Sequence, residues 1–323
     1  MAIDADRSRT GRFIITGSSS PELARSITES LAGRVGIIEM SPLSWSEIHP
    51  SSGPCVLDVL LDSSTRGEDL VESCSARSDL KAVTDYWFKG GYPEPWLKNN
   101  RRFRDLWMDQ YIRAYVLRDV ARLFPGLNQE RFRVFARMLG GLSGRIINQA
   151  EVARALGVTP PTVRDYFEIA EGTFLWRKLP AFTRNVTKRV VKHAKGYLRD
   201  SGLGHHTLRI PDVTALLSHP QAGASWEGMV IEELHRQLNQ RGVGFDAFHY
   251  RTGGGAEVDL VLEGEFGRIA VEIKLGQRVR LKSLQGLRDF VRDHDCRLGI
   301  VFSNEEKPRM IDDRIAGLPV TYL

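Results

Sequence analysis

The chain has 323 residues, of which 42% are apolar and 26% charged, and this composition is typical of a soluble globular protein with two or three domains. Its first residues include acids and no apolar core, which argues against a secretion signal, and no apolar run is long enough to cross a bilayer. The net charge of +5 permits a nucleic-acid partner without requiring one.

The first predicted elements form one β-α-β unit. A β-branched run at residues 12–16 predicts a buried strand that ends in the small polar loop Gly17–Ser20, and such a loop is the usual place for a site in an open α/β sheet. A helix over Pro21–Ala32 and a second strand over Val35–Met40 follow. The unit is too small to fold alone, so we expect a protein partner or further chain to complete its sheet.

The middle of the chain is predicted to be helical. Ser51–Ser64 and Gly67–Ser78 are polar and indicate irregular structure. From Asp79 the pattern becomes helical, and a broad apolar stripe predicts a helix over Arg101–Phe124 whose opposite face is rich in arginine. A second amphipathic helix is predicted over Gln129–Leu142.

A winged helix-turn-helix is predicted next. The helices Gln149–Leu156 and Pro160–Glu171 are joined by a three-residue turn that contains glycine, and a strand over Thr173–Leu179 follows. Between Trp176 and Arg199 the chain has eight Lys or Arg residues and no acid, and such a basic surface can bind DNA phosphates. The second helix of the motif is acidic, which indicates that it would read bases weakly. A solvated surface or an ATPase lid is the alternative. The candidate DNA-contacting residues are Arg164, Arg184, Lys188, Arg189 and Lys192.

The last third of the chain alternates short strands with helices and predicts a small α/β domain. A short connection, Gly264–Gly267, indicates that two of the strands form an antiparallel hairpin. The predicted strands are Tyr197–Asp200, Phe245–Tyr250, Glu257–Glu263, Arg268–Lys274 and Arg297–Phe302, and the predicted helices are Glu227–Arg241 and Leu281–Asp293.

Asp259, Glu272 and Lys274 are the best candidates for chemistry. Glu272 and Lys274 share one face of a strand, and the hairpin places Asp259 opposite Glu272 or one diagonal away. Two converging carboxylates can hold a hard cation such as Mg²⁺, and a nearby lysine can orient or deprotonate water for attack on a phosphodiester. Glu227 would approach from a helix, and clustered acids without a cation should have raised pKa values. A half-exposed strand that simply alternates apolar and charged residues would not bring these carboxylates together.

Several segments, in order along the chain, resemble one protein family. They are Thr16–Ser20, Leu31–Val35, Pro42–Ser44, Gly90–Pro93, Tyr111–Arg113, Arg118–Val120, Glu151–Val158, Lys195–Tyr197 and Asp200–Leu203. On these segments the chain resembles prokaryotic AAA+-type ATPases of the domain-of-unknown-function 4143 family. The resemblance implies an ATPase core, a helical and winged-helix middle, and a C-terminal domain similar to the PD-(D/E)XK nuclease fold, in which Glu227 matches the acid often supplied by the first helix.

The resemblance is incomplete at the nucleotide site. A P-loop needs Gly-x-x-x-x-Gly-Lys-Ser/Thr, whose backbone amides cradle phosphates, and this sequence contains no such string. The family pattern implies that Thr16 or Ser18 is a polar sensor of the γ-phosphate and that Arg34 contacts phosphate; a solvated arginine at a helix end is the alternative for Arg34. ATP is therefore implied by the family but is not expected to bind this chain, which we interpret as truncated.

The expected fold class is α/β plus α, in four parts. Residues 1–48 are the C-terminal remnant of an AAA+ ATPase core, 49–125 are helical, 126–195 form the winged helix-turn-helix, and 196–323 form a restriction-endonuclease-like α/β domain. We expect a DNA-associated protein without ATPase activity of its own and without a membrane partner, and its three well-separated cysteines are typical of the cytoplasm. The alternatives are an active Mg²⁺-dependent DNA nuclease that uses Asp259, Glu272 and Lys274, and a non-enzymatic module that binds a protein.

Overall fold

A computed structural model of the chain describes residues 38–50, 53–115, 120–124, 126–183 and 193–323, together with Ile14, Thr16 and Gly17. Most of the predicted N-terminal β-α-β unit lies outside the described residues. The prediction of a buried strand is wrong for residues 38–40, which have no regular structure. Ile38 and Met40 are almost fully exposed, so burial does not hold this stretch in a sheet.

Helices make up most of the described residues before 145. One of them, α8, has the predicted bounds, and the predicted helix over Arg101–Phe124 is described as α6 and α7, with residues 116–119 outside the described part. The helices are α1 (Trp45–Ile48), α2 (Val56–Leu60), α3 (Gly67–Ser73), α4 (Leu80–Lys89), α5 (Pro93–Lys98), α6 (Arg101–Ala114), α7 (Ala121–Leu123) and α8 (Gln129–Leu142).

The prediction of irregular structure over Ser51–Ser64 and Gly67–Ser78 is wrong, because α2 and α3 form there. Each helix begins with a backbone N–H that donates to a carboxylate three residues later, Asp58 in α2 at 3.0 Å and Asp69 in α3 at 2.7 Å. Leu57 and its apolar neighbours in α2 are buried in the main core. Helices of five and seven residues are too short to show a clear helical period in the sequence.

A small antiparallel sheet is formed by strands that precede the C-terminal domain along the chain. Its strand order is β1-β3-β2, and the predicted strand over Tyr197–Asp200 is its strand β3 rather than part of the C-terminal sheet. The Thr159 side chain accepts a hydrogen bond from the Thr162 N–H at 3.3 Å and so begins α10. We call residues 126–183 and 193–198 the small-sheet unit. It contains α8, β1 (Arg145–Ile146), α9 (Gln149–Leu156), α10 (Pro160–Gly172), β2 (Trp176–Leu179) and β3 (Lys195–Leu198).

A six-stranded mixed sheet forms the C-terminal domain, with the order β4-β5-β6-β7-β9-β8. Strands β4, β5 and β6 are antiparallel, whereas β7 runs parallel to β6 and β9. The predicted helix Leu281–Asp293 is a 3₁₀ turn, Leu281–Leu284, followed by α14. The elements are α11 (Ser201–Thr207), α12 (Val213–Leu217), α13 (Ala222–Gln240), β4 (Phe245–Arg251), β5 (Glu257–Gly264), β6 (Gly267–Ile273), α14 (Gln285–Asp293), β7 (Leu298–Ser303), β8 (Arg309–Asp312), β9 (Ile315–Pro319) and a final 3₁₀ turn (Val320–Tyr322).

The long helix α13 packs on this sheet through an apolar core. Trp226, Val230 and Ile231 share a buried cluster with Leu260 and Val271 of the central strands. Helix α14 packs through a second cluster that includes other residues of the same strands. Among the described helices, none is long and apolar enough to cross a membrane.

A buried network of charges joins α13 to the rest of the molecule. Glu232 pairs with Arg177 of β2 at 3.0 Å and with Arg199 at 3.4 Å. Burial opposes ionisation of this acid, but the two arginines hold the pKa of Glu232 down at about 2. The next residue, Glu233, accepts a hydrogen bond from the Trp45 N–H at 2.9 Å. Helix α13 therefore anchors both the small-sheet unit and the first described helix.

Candidate active site

Two buried carboxylates face each other across the hairpin of β5 and β6. The register that pairs Leu260 with Val271 places Asp259 directly opposite Glu272, and residues opposite each other in an antiparallel pair project from the same face. Only 7% of Asp259 and 6% of Glu272 is exposed. Asp259 Oδ2 accepts a hydrogen bond from the Ile273 N–H at 2.8 Å, which fixes the carboxylate beside the end of β6.

Lys274 pairs with one oxygen of Glu272 and leaves the other free. Lys274 Nζ lies 2.5 Å from Glu272 Oε1. The second oxygen, Oε2, is buried and has no hydrogen-bond partner among the described residues. Burial, and then the neighbouring charge of Asp259, raise the pKa of Glu272 to about 8. Burial also raises the pKa of Asp259, so the pair has too little solvation to carry two full negative charges.

Glu227 reaches the same place from the second turn of α13. Its carboxylate lies 2.6 Å from Lys195 Nζ and accepts a hydrogen bond from the Tyr197 hydroxyl. Burial, and then the charge of Asp259, raise the pKa of Glu227 to about 7. Lys195 also pairs with Glu257 at 3.2 Å, and although burial opposes it, the charge of Glu227 raises the pKa of Lys195 above its usual range.

Sequence reasoning missed Lys195, Tyr197 and Glu257 as members of this cluster. Lys195 and Tyr197 belong to β3 of the small-sheet unit, and Lys195 is 32 residues from Glu227. The only signal in the sequence was that Lys195-Gly196-Tyr197 is one of the segments that carry the family resemblance. Since β3 lies in a different sheet from Asp259 and Glu272, no local pattern connects them.

A cleft of about 510 Å³ opens beside the acids. One wall comes from the small-sheet unit and the other from the C-terminal domain, so the site lies where the two parts meet. The residues that line the cleft are Gly144, Arg145, Ile146, Lys195, Glu227, Arg251, Glu257 and Asp259.

The donors at this site suit a hard divalent cation, because all are carboxylate oxygens and Glu272 Oε2 lacks a partner among the described residues. Within the part of the chain that the structure describes, however, no three His, Cys, Asp or Glu side chains are grouped so as to enclose a metal ion. The ammonium groups of Lys195 and Lys274 bind Glu227 and Glu272 instead. A cation here would be held by Asp259 and Glu272 and would compete with the two lysines.

The other predicted site residues do not join this cluster. Thr16 is exposed. Arg164 lies on α10, where it pairs with Asp165 at 3.6 Å and Glu168 at 3.8 Å, so its own helix satisfies its charge. The remaining predicted residues lie outside the described part of the chain: Ser18, Arg34, Arg184, Lys188, Arg189 and Lys192.

Comparison with known proteins matches three segments of the chain. Residues 2–49 match an AAA domain, residues 80–214 match the Domain of unknown function (DUF8612), and residues 222–323 match the Domain of unknown function (DUF4143). Over 307 residues the chain is 31% identical to an uncharacterized protein of Mycobacterium tuberculosis and to one of Mycobacterium bovis. The match covers 94% of this chain but 61% of the length of each relative. No solved structure matches the chain significantly.

The AAA and DUF4143 matches together relate the chain to ATPase-type proteins. They assign no chemistry to the cleft, because both relatives are uncharacterized.

Proposed function

We propose that this ATPase-related chain associates with DNA and that its C-terminal domain cleaves DNA with the help of a divalent cation. The observation that carries the proposal is the pairing of Asp259 with Glu272. Both carboxylates are buried, they lie directly opposite each other, and Lys274 is 2.5 Å from Glu272. A strand that merely alternates apolar and charged residues needs no buried, facing acids, since their burial without compensation is costly.

The residues support hydrolysis of a phosphodiester in which a water oxygen attacks phosphorus, the proton of that water passes to solvent in the cleft, and the bond to the leaving oxygen breaks. Asp259 and Glu272 would hold a divalent cation, which when bound supplies Lewis-acid polarisation of the phosphate. Lys274, held by Glu272, can donate a hydrogen bond that orients the attacking water or the phosphate. Glu227, with a pKa of about 7, can exchange a proton near neutral pH and is suited to protonate the leaving oxygen.

The proposal is tested by Asp259→Asn. We expect the native chain to cleave DNA in Mg²⁺ and the variant to lose at least about a hundredfold in rate, since even the supporting partners of metal ligands contribute 10- to 100-fold. Asp246→Asn, which changes an exposed aspartate on β4, is the matched control and should cleave normally. Circular dichroism checks that both variants fold, and a folded Asp259→Asn protein with native cleavage would overturn the proposal.

The second candidate is a DNA-binding module without cleavage. It is favoured by α9 and α10, whose three-residue turn and N-cap match the predicted helix-turn-helix. The ion pairs of Arg164 with the acids of its own helix indicate that this helix would read bases weakly. DNA binding by the native chain without any Mg²⁺-dependent cleavage would favour this candidate over the nuclease.

A further inference from the structure

Two exposed arginines line the cleft, and neither is hydrogen-bonded or ion-paired through its side chain to another described residue. Arg145 lies on β1 and Arg251 at the end of β4, and both side chains are exposed. Across the described ranges of the chain, neither guanidinium has a hydrogen bond or an ion pair. Most other cationic side chains near the site are paired: Lys195 binds Glu227 and Glu257, and Lys274 binds Glu272. The cleft therefore presents two free positive groups.

The acids that line the cleft are ion-paired with Lys195 or are buried. Lys195 lies between Glu227 and Glu257, and its ammonium group offsets part of their charge. Asp259 is buried, whereas the arginines are exposed to solvent at the cleft. An anionic ligand that enters the cleft from solvent would therefore meet the exposed Arg145 and Arg251 first.

The backbone fixes the two arginines on opposite walls. Gly144, which precedes Arg145, has a φ of +75°, and a Cβ added to it would lie 2.6 Å from Ala224 Cβ on α13. Because glycine has no Cβ, β1 can lie close against α13 of the C-terminal domain. Arg251 is paired across the hairpin with Glu257, two residues before Asp259. The position of Arg145 relative to Arg251 is therefore fixed by the contact between the small-sheet unit and α13.

We propose that Arg145 and Arg251 bind the phosphates of one DNA strand and hold it against the acid cluster. The inference rests on the proposed function for the identity of the ligand and adds that the small-sheet unit supplies part of the substrate site. Arginine binds phosphate through two parallel hydrogen bonds. Ile146, which is 37% exposed beside Arg145, offers an apolar contact for a sugar or base, and a cleft of about 510 Å³ holds a short segment of a strand.

The test is the affinity of the full chain for a short fluorescein-labelled DNA strand, measured by fluorescence anisotropy in EDTA over a series of salt concentrations. Arg145→Gln and Arg251→Gln should each weaken binding about tenfold and should each reduce the slope of log K against log salt by about 0.7. Arg209→Gln removes an exposed arginine outside the cleft lining and should leave both quantities unchanged. Arg145→Lys and Arg251→Lys keep the charge and should retain the native slope.

The outcomes separate this inference from the proposed cleavage. If the native chain binds the strand but both glutamine variants bind as tightly as Arg209→Gln, the arginines are not phosphate ligands and the inference is wrong. A native chain that binds no DNA strand overturns it as well. If the variants lose affinity as expected while the native chain shows no Mg²⁺-dependent cleavage, the arginines bind DNA and only the proposed nuclease activity fails.

Discussion

Lys195 supplies a buried positive charge inside the acid cluster. One ammonium group contacts Glu227 at 2.6 Å and Glu257 at 3.2 Å, and only 7% of the lysine side chain is exposed. Buried acids without a cation repel each other and lose hydration. The lysine therefore allows three carboxylates, those of Glu227, Glu257 and Asp259, to be collected around one cleft.

Replacing Lys195 with methionine should destabilise the fold by about 3 kcal/mol, because removing one member of a buried pair leaves the other uncompensated. Magnesium should restore part of this loss, since a cation held by Asp259 and Glu272 would supply positive charge close to the uncompensated acids. The measurement is urea unfolding with and without Mg²⁺, and Lys282→Met, at an exposed position, is the control. A loss of the same size in both conditions would show that the cluster does not accept a cation.

How much of the site can be predicted from the sequence depends on how far apart its residues lie along the chain. Glu272 and Lys274 lie two residues apart at the end of β6, and a tight hairpin joins this strand to the strand that carries Asp259, so strand periodicity and hairpin geometry suffice to bring the three together. Lys195 and Arg145 come from another sheet. Nothing in their local sequence indicates which surface that sheet packs against, and only the tertiary structure brings them to the cleft.

At the scale of elements, the strength of the local pattern decides what can be predicted. Helix α8 is predicted with its correct bounds, because fourteen residues show the amphipathic period and Asn128 caps the first turn. Helices α2 and α3 are missed since they are short and are held by side-chain caps and by burial. Strands β8 and β9 are missed because a run such as Ile315–Pro319 contains glycine and proline, which usually indicate a turn.

The strand β1 depends on glycine at position 144. Alanine there would adopt a φ of +75° and would place its Cβ 2.6 Å from Ala224 Cβ. We expect Gly144→Ala to lower the free energy of unfolding by roughly 1–3 kcal/mol and to weaken DNA binding, because β1 carries Arg145. Gly141→Ala is the control: it lies in helix α8, a Cβ would meet nothing within 4 Å, and it should leave stability equal or raised by up to about 1 kcal/mol. Equal stability of the two variants in thermal unfolding would contradict the close approach.

At the scale of the whole molecule, two buried histidines determine how the stability of the fold changes with pH. Burial lowers the pKa of His205 to about 4 and that of His235 to about 3. His205 lies on α11, and its ring contacts the Phe88 carbonyl oxygen of α4 at 3.1 Å and the Ser225 hydroxyl of α13 at 2.6 Å. Both histidines are therefore neutral in the folded protein at pH 6, whereas the unfolded chain begins to protonate them near pH 6.5.

This difference predicts a loss of stability in mild acid. Because the folded pKa values are lowered, the two histidines stabilise the fold fully above pH 6.5. Their contribution falls progressively as the pH drops from 6.5 to about 4 for His205 and to about 3 for His235. By pH 5 the loss should be on the order of 2 kcal/mol for each histidine. Urea unfolding at pH 7.5 and pH 5 should show a smaller decline in His205→Gln than in the native chain or in His193→Gln, which changes an exposed histidine. An unchanged pH profile in His205→Gln would contradict the assignment.

The residues that line the cleft limit where the genes of such proteins can recombine. Its lining is contributed by both matched segments, since Arg145 and Lys195 fall within residues 80–214 while Glu227, Asp259 and Arg251 fall within residues 222–323. A hybrid protein that joined the first segment of one relative to the second segment of another would build one cleft from residues of two different chains. The two segments are therefore expected to be inherited as one unit, and viable natural hybrids should have their crossover points before residue 80 rather than between the segments.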